Sequence, residues 1–155
     1  MPPPFSDSRP ALVIVDDDPD QLSLLRIAAE RVRSYRRIIT AEDGAAALSQ
    51  VIEFFEHTSD LTPLIILTDL KMPRVNGIEL AKTLQSHPSV PPVHVVAMSN
   101  SRYQPDVQAA LTAGCCAFFQ KPGGFQQLKE ILLSLPALCT RKTRDCFAET
   151  VESFV

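Results

Sequence analysis

Tryptophan is absent from this 155-residue chain, and glycine is scarce, with five in all. None of the five falls in a GxGxxG or P-loop pattern, which excludes the usual glycine-built cradles for dinucleotides and nucleotides. Cysteine is equally sparse. Cys115 and Cys116 are adjacent and Cys139 and Cys146 lie near the end, an arrangement that fits neither a disulfide framework nor the paired CxxC of a zinc site. They read as reduced thiols that fill space. His57, His87 and His94 show no ligand spacing. No apolar run approaches the ~20 residues of a membrane helix, and the opening MPPPFSDSRP lacks a basic segment followed by an apolar one. A cytoplasmic protein without membrane contact is expected. Nor is there an excess of one charge: the formal net charge is -3, so direct DNA binding is not expected. The arginines between Arg26 and Arg37 alternate with apolar positions and read as a solvated helix face.

What the chain does contain is a strict alternation. Its length suits one domain able to bury roughly 70% of its unfolded surface. Residues 1–10 hold four prolines and suggest a short disordered lead. The organising stretch is 63–77, PLIILTDLKMPRVNG: an apolar run at 64–67, then Thr68 and Asp69, then Met72, Pro73, Asn76 and Gly77, which break any regular element. A short run that apolar predicts a strand buried on both faces, with Asp69 at its carboxyl end. A second such run, 11–15, ends in Asp16, Asp17 and Asp18.

Asp18 and Pro19 predict a helix N-cap and first helical residue. Leu22, Leu25, Ala29 and Val32 give that helix its core face, and Ile27 lies nearly opposite. A short strand at 36–40 and a helix opened by Asp43 and running through Glu56 follow, then a polar connection over 57–62. Ile78, Leu80, Ala81 and Leu84 predict a third helix closed by His87 and Pro88. A strand at 93–98 ends in Ser99, Asn100 and Ser101. A fourth helix runs from near Pro105 to Gly114, a C′ glycine. Residues 116–120 form a fifth strand, followed by Lys121, Pro122, Gly123 and Gly124. A last helix with Phe125, Leu128, Ile131, Leu132 and Leu135 on one face reaches about Pro136. Five strand–helix repeats predict an α/β fold, a doubly wound parallel sheet covered on both faces over 11–136. Residues 137–155 are either a docked helical extension or a loose tail.

In such a sheet the carboxyl ends of the strands converge on one rim, the usual place for ligands. Asp16 and Asp17, Asp69, Ser99 and Lys121 all stand at such ends. Three crowded carboxylates need a cation, and hard oxygen ligands suit Mg²⁺. Lys121 supplies a positive charge for a phosphoryl oxygen and Ser99 a hydroxyl donor. The set fits phosphoryl transfer with Asp69 as the carboxylate nucleophile. Taken singly, Lys121 is more often a solvated lysine, Ser99 a loop hydroxyl and the acids a helix N-terminal cluster. Their joint placement gives them chemistry.

The pieces VIVDDD at 13–18, ILTDLKMPRVNGIEL at 66–80, VVAMSNS at 95–101 and AGCCAFFQKP at 113–122 together resemble the receiver domain of two-component response regulators, over residues 11 to about 135. The resemblance implies a flavodoxin-like (βα)5 fold with strand order 2-1-3-4-5. It implies that Asp69 accepts a phosphoryl group from a sensor histidine kinase or a histidine phosphotransfer protein. Asp17, the Asp69 carboxylate and the Lys71 backbone carbonyl would hold Mg²⁺, with Asp16 assisting through a water. Lys121, ahead of a cis bond to Pro122, would pair with the phosphoryl group and Ser99 would close over it. Phe118 takes the place of the aromatic whose inward swing reports phosphorylation. Such a chain phosphorylates and dephosphorylates itself and is not a turnover enzyme; its output is contact with a protein target.

Two departures from the family stand out: Asn100 is larger than the usual residue after Ser99, and Gly123 and Gly124 replace the usual apolar residue after Lys-Pro. With no effector segment expected after 136, the chain resembles the stand-alone regulators. PDVQAALTAG and the long connection before Pro63 are similar to regulators paired with phytochrome-type kinases. Leu133, off the core stripe of the last helix, is a candidate homodimer contact. The alternative function is a receiver-like interaction module that works without phosphorylation. A haloacid dehalogenase-type hydrolase is disfavoured, because that chemistry needs an acid where Lys71 stands.

Overall fold

Among the described residues five strands and five helices alternate: β1 (Ala11–Val15), α1 (Pro19–Val32), β2 (Arg37–Ala41), α2 (Gly44–His57), β3 (Leu64–Asp69), α3 (Gly77–Ser86), β4 (His94–Ser99), α4 (Gln104–Thr112), β5 (Ala117–Gln120) and α5 (Phe125–Ser134). A 3-10 helix, Leu135–Thr140, follows. This computed structural model describes residues 7–57, 63–72, 74–100 and 103–140. The expected lead over 1–6, most of the polar connection, Pro73, Ser101, Cys146 and nearly all of the expected tail lie outside the described residues.

The strands form one parallel sheet in the order β2-β1-β3-β4-β5, as the sequence pattern implied. Register decides what the rim carries. Val15 pairs with both Ala41 and Thr68, Asp69 pairs with Met98, and Ser99 pairs with Gln120. Asp16, Asp69, Ser99 and Lys121 therefore stand within a residue or so of one sheet edge.

The central strands are apolar because helices cover both of their faces. Every residue of β1 is buried, as are Leu64 to Thr68 of β3. On one face Val13, Ile66, Val95 and Ala97 pack with Val51, Leu80, Leu84, Ala110 and Phe118; on the other Leu12, Ile14, Ile65 and Val96 pack with Leu25, Ala29, Leu128 and Leu132. Cys115 belongs to the first layer and Cys116 to the second, and both are free thiols. Burial pushes the Cys115 thiol up to about 12, which fits the space-filling reading.

Helix ends follow local chemistry. The Asp18 carboxylate accepts the N–H of Asp20 at 2.9 Å, with Pro19 in the first turn, and α1 closes on Arg33 in a left-handed conformation (φ 54°) whose carbonyl accepts Arg9 Nη1. Asp43 caps α2 through the N–H of Ala46 at 2.7 Å, so that helix opens one residue later than expected. Asn76 caps α3 through the N–H of Glu79 at 2.9 Å. Gly114 follows α4 with φ 98°, as a C′ glycine does. The ordinary α-helix α5 stops at Ser134, just before Pro136, and the chain tightens into the 3-10 turn. That corrects the expected single helix to Pro136, and the physical reason is that Pro136 has no N–H to give the Leu132 carbonyl, which accepts the Tyr35 hydroxyl instead. A second correction concerns the bond between Lys121 and Pro122. No cis peptide occurs among the described residues, so this bond is trans, the isomer favoured by about 0.5–1 kcal/mol before proline. Among the described residues no helix is long and apolar enough to cross a membrane.

Candidate functional site

Each side chain of the site is delivered by the end of a buried strand. β1 ends at Val15, so Asp16 emerges at the rim while still 1% exposed, and Asp17 beyond it is exposed. The backbone N–H of Asp18 donates to Asp16 Oδ1 at 3.0 Å, which orients the Asp16 carboxylate from within its own turn. Asp69 is the last residue of β3, its side chain 11% exposed. Ser99 closes β4 at 2% exposure, and its carbonyl accepts the Lys121 N–H at 2.7 Å, which ties the start of the β5–α5 loop to the end of β4.

That tie aims Lys121. Its ammonium donates to Asp16 Oδ2 at 3.1 Å and to Asp69 Oδ2 at 3.3 Å, with all three side chains about nine-tenths buried or more. The Lys71 N–H donates to Asp69 Oδ1 at 3.3 Å. Carboxylate oxygens of Asp16, Asp17 and Asp69 lie within 4.8 Å of one another. Three hard anionic donors with one cation among them leave an excess of negative charge, and the donor set suits a divalent cation of the Mg²⁺ type.

Electrostatics follow from burial. Desolvation raises the Asp69 carboxyl above its ordinary range, Lys121 pulls it back, and Asp16 pushes it up again, with burial prevailing. For Lys121 burial alone would depress the ammonium, but the hydrogen bond to Asp16 and the charges of Asp69 and Asp16 outweigh it and raise the net value.

Of the remaining expected residues, Phe118 is 3% exposed and packed in the layer that holds Val107 and Ala110. Asn100 is exposed, and its carbonyl accepts Gln120 Nε2 at 3.3 Å. The Gly123 departure leaves room: nothing lies within 4 Å of where its Cβ would be, and a groove of about 70 Å³ opens beside it, lined by Gln21, Leu24, Met98, Lys121 and Pro122 among others. Ile27 and Leu133 are exposed, as their off-stripe positions predicted.

Two contributors were not singled out from sequence. Thr68, fully buried, donates its hydroxyl to the Asp69 carbonyl at 3.0 Å; a polar residue ending an apolar run was the available signal. Gly77 brings α3 against the acceptor strand so closely that a Cβ there would lie 2.3 Å from the Asp69 carbonyl oxygen. The signal was a glycine directly after a capping asparagine.

Comparison with known proteins agrees with this geometry. A family model described as "Response regulator receiver domain" matches residues 12–133. The transcriptional regulatory protein KdpE of Mycobacterium tuberculosis is 33% identical over 132 residues, covering 85% of this chain and 52% of KdpE. The chemotaxis protein CheY1 of Helicobacter pylori is 26% identical, covering 78% of this chain and 92% of CheY1. A hybrid signal transduction histidine kinase D of Dictyostelium discoideum is 25% identical over a stretch that makes up only 9% of that protein, so the chain spans about half or less of the first of these curated relatives. Among solved structures, the bacteriophytochrome response regulator RtBRR superposes with a TM-score of 0.64 at 26% identity, covering 94% of this chain and 95% of RtBRR. The receiver domain of a response regulator NarL from M. tuberculosis shares the fold at a TM-score of 0.70 and 23% identity, covering 84% of this chain and 98% of that one. With fold, rim and matched residues in agreement, the chain belongs to the response regulator receiver domain family.

Proposed function

We propose that the chain is a phosphoacceptor of a two-component phosphorelay, with Asp69 as the accepting residue. The observation that carries this reading is the Lys121 ammonium held between Asp16 and Asp69 at 3.1 and 3.3 Å on the rim where three strand ends meet. An Asp69 oxygen attacks the phosphorus of a phosphohistidine, the N–P bond breaks, and the imidazole leaves with the bond's electron pair and takes up a proton. The product is an acyl phosphate on Asp69. Lys121 can then pivot from the carboxylates to a phosphoryl oxygen, and the Ser99 hydroxyl donates to another. Asp16, Asp17, Asp69 and the Lys71 carbonyl would hold Mg²⁺, which offsets the charge of the phosphoryl oxygens when bound.

Water returns the acyl phosphate to carboxylate and inorganic phosphate, so the residue is an acceptor with a lifetime and not a centre of multiple turnover. Phe118 and Ser99 form the moving part, and the changed surface engages a protein target. The donor is a sensor histidine kinase or a histidine phosphotransfer protein, and the cytoplasm is the compartment that supplies both. The likeness to RtBRR favours a phytochrome-type kinase as the donor. Intact mass after incubation with Mg²⁺ and acetyl phosphate tests the acceptor. An adduct of about 80 Da on the wild type and none on Asp69→Asn is expected. An adduct on both, or on neither with a competent kinase present, returns the chain to the alternative, a receiver-like module that binds partners without phosphorylation.

A further inference from the structure

Lys71 faces two ways. Its peptide N–H donates to Asp69 Oδ1 at 3.3 Å, whereas its side chain reaches α4, where Nζ lies 3.6 Å from Asp106 Oδ2. That oxygen is shut off from solvent and accepts no hydrogen bond. A buried carboxylate oxygen without a donor is unfavourable, and the Lys71 ammonium is the charge set against it. α4 is lightly held at this end: it has no side-chain N-cap bond, and of its nine residues only Val107 and Ala110 are buried. Ser99 ends the strand before α4 and Asp106 sits in the first turn of α4, so the acceptor side chain meets both ends of this connection, one through Lys121 and one through Lys71.

We infer that Asp106 is a positioning residue for the chemistry at Asp69: its ion pair with Lys71 fixes the residue-71 peptide against the acceptor carboxylate and couples α4 to the site. This rests on the reading of Asp69 given above. Coupling of this kind is reciprocal. A protein that grips the first turn of α4 alters the Lys71 peptide, and a change at Asp69 that draws on that peptide alters how firmly α4 is held. With the Lys71 side chain 67% exposed, the pair is screened, and its effect is on placement more than on global stability.

Three variants test this: Asp106→Asn, Lys71→Met and the double substitution. The first readout is hydrogen exchange of the Lys71 amide without metal or donor; the second is the half-life of the acyl phosphate formed with acetyl phosphate and Mg²⁺. Each single substitution is expected to speed Lys71 exchange by about two- to fivefold and to shift the half-life by a similar factor. The double variant should match either single one, because both remove the same interaction. Additive effects overturn the inference. So does an Asp106→Asn variant in which the Val107 and Ala110 amides exchange faster while Lys71 is unchanged, the mark of a role confined to helix stability. If the wild type takes no phosphoryl group, the Asp69 reading falls and this inference with it; if it does and Lys71 is indifferent to Asp106, the inference alone falls.

Discussion

The surroundings of Asp69 oppose the charge on its carboxylate. Burial raises its carboxyl above the ordinary value of 3.8, Asp16 adds to that, and Lys121 offsets only part. The folded chain thus binds this proton more readily than the unfolded chain does. Stability therefore falls as pH rises from 3.8 through the raised native value, and the cost is complete above it. Asp69→Asn removes the cost. Without Mg²⁺ at pH 7 its Tm should exceed that of the wild type. Thermal unfolding as a function of pH checks the sign: the advantage should close as pH drops below 3.8, and an advantage that persists there would point to a cause other than titration. Asp16, Asp17, Asp69 and Lys121 were legible from sequence because each is a charged residue at the end of an apolar run. Asp106 was not, since an acid in the first turn of a helix is ordinary and its relation to Lys71 exists only once α4 is packed.

Among the elements, the junction of β3 and α3 is the tightest part of the site. The Gly77 N–H donates to the Leu70 carbonyl at 3.1 Å, and an added Cβ would meet the Asp69 carbonyl oxygen at 2.3 Å, an atom of the backbone that cannot swing aside. Gly77→Ala should cost about 1–3 kcal/mol in urea unfolding and slow phosphorylation of Asp69, because relief of the overlap moves the acceptor strand. Gly123→Ala is the control, with nothing within 4 Å of the new Cβ, and should fall within about 0.5 kcal/mol of the wild type. Equal losses at the two glycines would show that close approach is not what Gly77 provides. The sequence pattern placed all five strands and all five helices, with ends shifted by a residue or two. The shifts have local causes: Asp43 caps α2 and does not join it, and proline at 136 turns the end of α5 into a 3-10 helix. Apolar periodicity marks the middle of an element, whereas its ends depend on single hydrogen bonds.

For the molecule as a whole, the rim is a place where binding would feed back on folding. A cation held by Asp16, Asp17 and Asp69 would engage an arrangement that the unfolded chain lacks, and would stabilise the fold by mass action. Mg²⁺ at about 100 times its dissociation constant should add about 2.7 kcal/mol, EDTA should reverse the gain, and Asp17→Asn should lose most of it. A Tm indifferent to Mg²⁺ in the wild type would remove the metal from the site. Strand order followed from the family pattern and cover on both faces from the alternation, while the layer to which each residue belongs became visible only with side chains in place. That packing has a use at the entrance to β5. Cys115 and Cys116 are joined by one peptide bond yet buried in opposite layers, at 2% and 0% exposure. A thiol so enclosed reacts only when its own layer opens. Alkylation at Cys115 thus times the loosening of the α2–α4 side and alkylation at Cys116 that of the α1 and α5 side, and the two rates together would tell which layer of the fold gives way when Asp69 is modified.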